Sequence, residues 1–194
     1  MIGNDIVDLS LAIKSSRTID IRYLNKIFSK AEQEHIYQSA RPEETLWLLW
    51  SMKESAYKVY VRTHKQPFYA PFKILCELKD DSKGLVNIND QIYHTFSLIT
   101  KDYVYTIAHS NLPFNIISDC IKIDESTYKA QHSESYANAK KSFSRISGYR
   151  SEDMQIVKNS IDVPELYIKK RKSSLTFSIT HHGHYCGIAM LDPS

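Results

Sequence analysis

The sequence has few cysteines, no long apolar run and little net charge, and each shortage argues against a class of protein. Its three cysteines are widely spaced and form no Cys-x-x-Cys pair, so neither a disulfide framework nor a thiolate zinc site is indicated. No stretch approaches about 18 consecutive apolar residues, and the N-terminus does not resemble a signal peptide. A net charge of +3 gives no reason to expect nucleic-acid binding. We therefore expect a soluble, cytoplasmic protein with no membrane or nucleic-acid partner.

One stretch of the chain combines apolar residues with charge. Residues 46–61 read LWLLWSMKESAYKVYV, a composition typical of a helix that is mostly buried, and we predict a helix over 43–62. On a helical wheel Lys53 falls on the apolar side and Glu54 at its edge. A buried carboxylate without a partner is costly, so Glu54 should meet a cation, a metal or a proton. The alternative is a surface pair of Glu54 with Lys58 at i, i+4 spacing.

The remaining patterns predict an α+β fold. IGNDIVDL at the N-terminus is typical of a short strand, and helices are expected over 19–27 and 30–39, the second with a Ser29–Glu32 capping box. Strands follow in the segments FKILCELKD, GLVNIND, QIYHTFSLIT and YVYTIAHS. A further helix over 132–146 precedes strands in MQIVKNS, ELYIKK, SLTFSIT and YCGIAML.

A possible internal repeat divides the chain. TFSLITKDYVYTIA at 95–108 and TFSITHHGHYCGIA at 176–189 have equal length and share their first three and last two residues. This agreement is either chance between β-rich segments or the trace of a duplication. A duplication predicts two similar α+β halves, 1–110 and 111–194, packed about a pseudo-twofold axis with a cleft between them.

Three separate groups of polar residues need a common explanation. The acids of GNDIVD and Glu54 could hold a hard cation such as Mg²⁺, which also takes phosphate oxygens. Lys53 and Lys58 would suit a phosphate beside that cation. The run KKRK at 169–172 is either a further phosphate site or a solvated basic turn. The imidazoles of SITHHGHY lack a convincing fourth ligand for zinc.

Three N-terminal motifs of the chain together resemble the signature of a known family. GNDIVDL, then FSKAEQEHI, then WSMKESAYK is similar to the signature of the 4′-phosphopantetheinyl transferase superfamily, a Gly-x-Asp strand, Phe-Ser-x-x-Glu and Trp-x-x-Lys-Glu-[Ser/Ala]-x-x-Lys. VPELYIKKRKSSLTFSITHHGHY also resembles the family's Gly-Lys-Pro strand and Ser-x-Ser-His turn. Residues 1–110 thus resemble a complete unit of the small holo-acyl-carrier-protein synthase type, and 111–194 a degenerate second unit that completes the coenzyme A cleft.

The resemblance implies roles for individual residues. Asp5 and Glu54 match the Mg²⁺ ligands, and Lys58 matches the lysine that contacts the coenzyme A phosphates. Thr180 and His181 match the turn that binds the 3′-phosphate. The family's Gly-Lys before the proline is replaced here by Asp162 and Val163, which leaves three basic residues as substitutes. They are Lys170, Arg171 and Lys172.

The resemblance also implies a reaction. It is the Mg²⁺-dependent transfer of 4′-phosphopantetheine from coenzyme A to a serine of an apo acyl or peptidyl carrier protein, as in fatty acid biosynthesis, with release of 3′,5′-ADP. Glu54, Lys58 and Asp5 would be the catalytic residues. Two alternatives remain at this stage: a non-catalytic coenzyme A or nucleotide-binding module, and a metal-dependent phosphohydrolase.

Overall fold

The computed structural model describes residues 1–68, 70–110, 115–124 and 127–192 of the chain. Over these ranges the chain forms α-helices and antiparallel strands, which confirms the predicted α+β class. The helices are α1 (Leu9–Ala12), α2 (Ile21–Ile27), α3 (Lys30–Gln38), α4 (Pro42–His64) and α5 (Tyr128–Ser147). The strands are β1 (Ile2–Asp8), β2 (Leu75–Leu78), β3 (Lys83–Ile88), β4 (Gln91–Ile99), β5 (Tyr103–His109), β6 (Ile116–Lys122), β7 (Met154–Lys158), β8 (Pro164–Ile168), β9 (Arg171–Lys172), β10 (Phe177–His182) and β11 (Tyr185–Leu191).

The described strands form three antiparallel sheets. The first has the order β1-β5-β4-β3-β2, the second β10-β11-β6 and the third β7-β8-β9. The two segments of the sequence repeat form the hairpins β4–β5 and β10–β11, and β1-β5-β4 has the same neighbour relations as β6-β11-β10. This likeness agrees with a duplication, and the pseudo-twofold axis stays a prediction. The second predicted half begins at 111, which lies outside the described residues.

Helix α4 is the centre of the larger core. It begins with Pro42 at its first turn, a position where the missing N–H of proline costs nothing, and ends at Lys65 in a left-handed conformation. Leu46, Leu49 and Met52 are fully buried against the first sheet, as the apolar pattern predicts. None of the described helices is both long and apolar enough to cross a membrane.

Strand β1 lies between α4 and the second sheet and is buried along its whole length. A Cβ atom on Gly3 would collide with the carbonyl oxygen of Ser55, so glycine is what allows β1 to lie so close to α4. On the other side Ile2 and Ile6 pack in a small core with Ala189 of β11. The strand that carries Asp5 is therefore fixed from both faces.

Asp8 joins the end of β1 to the β10–β11 hairpin. Its backbone N–H donates to His182 Nδ1 at 2.9 Å, and its Oδ2 accepts from the backbone N–H of His184 at 3.0 Å. Its Oδ1 caps α1 by accepting from the backbone N–H of Ser10 and Leu11. Burial opposes ionisation, but the hydrogen bonds that the carboxylate accepts, first from the Ser10 hydroxyl and then from the backbone N–H groups, outweigh it and hold the pKa of Asp8 below its ordinary value. Asp8 is therefore a structural acid.

Most of the predicted elements are present, and two strands were not predicted. The capping box of Ser29 and Glu32 at the start of α3 is confirmed. β6 and the two-residue β9 were missed. β6 shows no clean alternation of buried and exposed residues, because it is partly buried on both faces, so the period-of-two signal is weak.

Candidate active site

A cleft of about 590 Å³ lies between α4, α5, β1 and β10. It brings together four of the predicted site residues, which are far apart in sequence: Asp5, Lys58, Thr180 and His181. Aromatic side chains of α5 line the opposite wall. A wider groove of about 850 Å³, between α3, the start of α4 and β4, contains none of the predicted site residues.

Asp5 is the buried acid of the cleft. Its Oδ1 accepts hydrogen bonds from Thr180 Oγ1 at 3.2 Å and Lys58 Nζ at 3.4 Å. Lys58 Nζ also donates to the backbone carbonyl of Asn4 at 2.7 Å. Asp5 Oδ2 is buried, and none of the described groups donates a hydrogen bond to it. One carboxylate oxygen is therefore held in place while the other is left without a partner.

Glu54 of α4 is partly exposed and does not line the cleft, but it is close enough to Asp5 for its pKa to respond to the charge of that carboxylate. Burial first, and then the negative charge of Asp5, raise the pKa of Glu54 to about 7 against the opposing positive charge of Lys58. The alternative of a Glu54–Lys58 surface pair does not occur within the described structure, because Lys58 turns to Asp5 and Asn4 instead. The sequence predicted that Glu54 would meet a cation, a metal or a proton. In the absence of a cation it holds a proton near neutral pH.

The two carboxylates fit a divalent cation. Asp5 has a buried carboxylate oxygen without a hydrogen-bond donor, and Glu54 has a raised pKa. A positive charge between the two carboxylates would compensate the cost of burying the Asp5 oxygen and the cost of ionising Glu54. No group of three or more His, Cys, Asp or Glu side chains in the described part of the chain could enclose a metal. A cation here would have few protein ligands and would complete its shell with water and ligand oxygens, which suits Mg²⁺.

The prediction that Lys53 faces a phosphate is wrong. Its side chain is only 1% exposed, and Nζ forms an ion pair with Glu32 Oε1 at 2.8 Å. Nζ also donates to the backbone carbonyls of Pro71, at 3.3 Å, and of Ile74. An ammonium group has three N–H donors, and these partners use them all. Lys53 therefore ties α4 to α3 and to the segment before β2.

Thr180 and His181 stand on β10 at the cleft. The Thr180 hydroxyl is used by Asp5, so it positions the acid. His181 Nδ1 lies 2.9 Å from Gln131 Oε1 of α5. Burial lowers the pKa of His181, and nearby positive charges, Lys58 first among them, lower it further. The lowered pKa favours the uncharged imidazole, which can still donate one hydrogen bond.

The basic run KKRK does not lie at the cleft. Lys170 and Arg171 are exposed in and after the turn between β8 and β9, and neither lines the cavity. Lys172 forms an ion pair with Glu165 at 2.8 Å. The structure thus separates Lys170 and Arg171 from the other predicted site residues. The lysine that the β7–β8 region contributes to the cleft is Lys158 of β7, which pairs with Asp162 at 3.8 Å.

Sequence reasoning missed further residues of the cleft. Arg62 lies one helical turn after Lys58, so the spacing 54, 58 and 62 on one face of α4 could have identified it. Tyr128, His132 and Tyr136 repeat at the same spacing on α5 and line the opposite wall. The rings of His132 and Tyr136 stack with centroids 4.2 Å apart. The cleft therefore has a cationic wall on α4 and an aromatic wall on α5.

Comparison with known proteins agrees with this geometry. No curated protein sequence matches the chain. A family model described as the 4′-phosphopantetheinyl transferase superfamily matches residues 1–108, the part that carries Asp5, Glu54 and Lys58. The match spans more than half of the chain and confirms the resemblance of its three N-terminal motifs. The chain belongs to the 4′-phosphopantetheinyl transferase superfamily.

Proposed function

We propose that the protein transfers the 4′-phosphopantetheine group from coenzyme A to a serine of an apo acyl or peptidyl carrier protein and depends on Mg²⁺ for the transfer. The observation that carries the proposal is the pair Asp5 and Glu54: Asp5 has a buried carboxylate oxygen without a partner at a cleft lined by Lys58, and the charge of Asp5 contributes to the raised pKa of Glu54. Such a pair is costly without a cation and suits a ligand that brings both metal and phosphate.

Asp5, Glu54, Lys58 and Thr180 each have a role in this reaction. Asp5 and Glu54 would hold Mg²⁺, which would supply positive charge next to the pyrophosphate of coenzyme A. Thr180 orients Asp5 through its hydrogen bond. Lys58, which is partly exposed at the cleft, donates to the oxygens on which charge develops as the leaving group departs. Holding these charges in place before the reaction lowers the barrier without reorganisation at the moment of transfer.

The serine proton needs an acceptor. In the transfer the serine oxygen bonds to the β-phosphorus, the pyrophosphate P–O bond breaks, and 3′,5′-ADP leaves. Glu54, or a water that it polarises, accepts the proton of the serine hydroxyl. Its pKa of about 7 in the metal-free protein lies near working pH, the range in which a general base is effective. A cation held by Glu54 would lower this pKa, so Glu54 would act as a tight ligand or as a strong base but not fully as both, and a water that it polarises would take the proton when Glu54 is a ligand.

The protein partner would be a small acidic domain. The net charge of +3 is compatible with docking of an acidic carrier protein. Carrier proteins of fatty acid, polyketide and peptide synthesis all belong to this class, and a small-type holo-acyl-carrier-protein synthase would act on the first. The three cysteines are free thiols, in keeping with a place in the cytoplasm.

Intact-mass measurement tests the proposal. The protein is incubated with coenzyme A, Mg²⁺ and a panel of apo-carrier proteins, each beside its serine-to-alanine variant. We expect one carrier to gain the mass of a single phosphopantetheine group and its alanine variant to gain none. A binding module would leave all masses unchanged. A phosphohydrolase would release phosphopantetheine or phosphate without any acceptor, and either result would overturn the proposal.

A further inference from the structure

Strands β1 and β10 are neighbouring edges of two different sheets. β1 is the edge of the first sheet and β10 that of the second, and no backbone ladder joins them among the described strands. The two strands nonetheless run parallel and in step, because Asn4 contacts Ser178 and Asp8 contacts His182 at the same separation of 174 residues. The sheets therefore meet along a seam that is not made by backbone pairing.

Side chains of β10 provide the acceptors that a neighbouring backbone would otherwise supply to β1. The backbone N–H of Asn4 donates to Ser178 Oγ at 3.2 Å, and that of Asp8 donates to His182 Nδ1 at 2.9 Å. Asn4 and Asp8 are fully buried, so their N–H groups need these partners. A side-chain acceptor, unlike a backbone carbonyl, disappears when the residue is substituted. The seam therefore depends on which residues β10 carries.

The seam also contains the acid of the proposed cation site. Asp5 lies between the two anchored residues of β1, and Thr180 lies between the two anchoring residues of β10. The Thr180 hydroxyl donates to Asp5 Oδ1 at 3.2 Å. Ser178, Thr180 and His182 are alternate residues of one strand, so their side chains leave the same face. A shift of β10 along β1 would separate the hydroxyl from the carboxylate, so the contact that orients Asp5 depends on the anchors beside it.

His182 is fixed in one protonation state and one position. Its Nδ1 accepts a hydrogen bond, so the proton of the neutral ring is on Nε2. The turn that follows also contacts Asp8, whose Oδ2 accepts from the backbone N–H of His184 at 3.0 Å. A Cβ atom on Gly183 would collide with the Asp8 side chain. The end of β10 and the turn after it are thus closed tightly on the end of β1.

We propose that Ser178 and His182 are positioning residues of the cation site, which hold β1 and β10 in step so that Thr180 can orient Asp5. The proposal rests on the proposed function, which assigns Asp5 to the cation. Groups behind a metal ligand fix its orientation, and their loss costs roughly tenfold to a hundredfold in metal affinity. Ser178 and His182 act on Asp5 through the strand and through Thr180, so we expect the lower end of this range.

Amide hydrogen exchange measured by NMR in EDTA tests the seam. His182→Phe keeps a ring but has no acceptor, so it should speed exchange of the Asp8 amide roughly tenfold, the cost of leaving a buried donor unpaired. Ser178→Ala should do the same to the Asn4 amide. His182→Asn places an amide oxygen where Nδ1 was and should restore protection of Asp8. His94→Phe is the matched control, since His94 is also a half-buried strand histidine and lies outside the cleft.

A titration with Mg²⁺ alone, followed by the backbone amide shift of Asp5, tests the link to the cation site. We expect the dissociation constant to rise roughly tenfold in His182→Phe and Ser178→Ala and to stay near the wild-type value in His182→Asn and His94→Phe. Thr180→Val should weaken Mg²⁺ binding at least as much. It should leave both anchored amides protected, because it removes the orienting hydroxyl and not an anchor.

Unchanged exchange at Asp8 in His182→Phe, or at Asn4 in Ser178→Ala, would overturn the seam. Faster exchange with unchanged Mg²⁺ affinity would make the two anchors structural and overturn their positioning role, and so would a wild type whose Asp5 amide does not respond to Mg²⁺. If thermal melts show that His182→Phe does not fold, His182→Gln replaces it, because its amide oxygen lies one bond further from the backbone than Nδ1. Neither measurement uses coenzyme A or a carrier protein, so failure of the transfer assay and failure of this proposal are distinguishable.

Discussion

Two polar clusters lie on different sides of α4, and they differ in whether the protein itself provides partners for all of their charged groups. The closed cluster consists of Lys53, Glu32 and the carbonyls of Pro71 and Ile74, and every donor of its ammonium group is used. The open cluster consists of Asp5, Glu54, Lys58 and Thr180, and it leaves Asp5 Oδ2 without a donor. Lys53 and Glu54 are neighbours in sequence, yet one charge is satisfied within the protein and the other is not.

The difference teaches which buried charge serves stability and which serves function. Glu32 adds two backbone partners to its ion pair, since it accepts from the N–H of Ser29 and of Cys76. A fully satisfied network of this kind fixes the elements that it joins. The open cluster keeps two like charges together without enough donors, an arrangement that a folded protein retains where a ligand completes it. Substitutions in the closed cluster should therefore reduce the stability of the protein, and substitutions in the open cluster should reduce its activity.

The largest expected effect is on stability in the closed cluster. Glu32→Ala leaves the Lys53 ammonium buried without its counter-ion and should lower the free energy of unfolding by about 3–5 kcal/mol. Urea denaturation measures this loss. Glu34→Ala is the matched control, because Glu34 is exposed on the same helix. Equal stability of the two variants would mean that the closed cluster does not hold α3 to α4.

The next effect is on turnover in the open cluster. Asp5→Asn removes one of two carboxylates from the proposed cation site and should reduce transfer at least roughly a hundredfold, because a metal supplies several kcal/mol of charge stabilisation. The variant should melt no lower than the wild type in EDTA, since it relieves the repulsion of Glu54. Asp81→Asn, in an exposed turn, serves as control. Equal wild-type activity with EDTA and with Mg²⁺ would contradict the cation site.

Lys58→Met should have a smaller effect on the same reaction. If Lys58 stabilises charge on the leaving group, kcat should fall roughly tenfold and by more than KM rises, because the interaction strengthens in the transition state. Steady-state kinetics beside a thermal melt measures both quantities. A normal kcat with a small fall in Tm would make Lys58 only the structural partner of Asp5.

The smallest effect is the pH dependence that the open cluster gives to stability. The pKa of Glu54 is raised in the folded protein, so between its ordinary value of 4.5 and about 7 the folded state binds more protons than the unfolded state. Stability of the metal-free protein should therefore fall as pH rises through this window. Glu54→Gln should lack this slope and gain in Tm relative to the wild type, by roughly 2–4 °C for each kcal/mol. Parallel Tm curves for the two proteins in EDTA would contradict the raised pKa.

The sequence predicted the helices and strands better than the side-chain contacts between them. The helix expected over 43–62 is Pro42–His64, because its apolar pattern is long and uninterrupted. The same pattern shows that Lys53 is buried but not what covers it, and the partner proved to be Glu32 from the capping box of α3. An ion pair between two helices depends on how they pack, which periodicity within one helix does not contain.

The candidate site was predicted in part, for a related reason. The meeting of Asp5 with Glu54 requires the close packing of β1 on α4 that Gly3 permits; the residue types suggested a shared cation, and the family resemblance identified Asp5 among the acids of GNDIVD. Lys170 and Arg171 were expected at a phosphate because of their charge, but the position of their turn is set by the β7-β8-β9 sheet. Arg62 was accessible to sequence reasoning through its spacing and was overlooked.

The burial of β1 on both faces bears on how the enzyme behaves when dilute. The outer face of this strand, with Ile2 and Ile6, is covered by β10 and β11 of the same chain, and a chain ending after β5 would expose it. Such a truncated chain would need a second molecule as its cover and would lose that cover on dilution. Because β10 and β11 belong to the same chain as β1, their effective concentration at that strand is fixed and does not fall on dilution. Because α4 and β10 form the two walls of one cleft within a single chain, the cleft should remain assembled even when the protein is scarce.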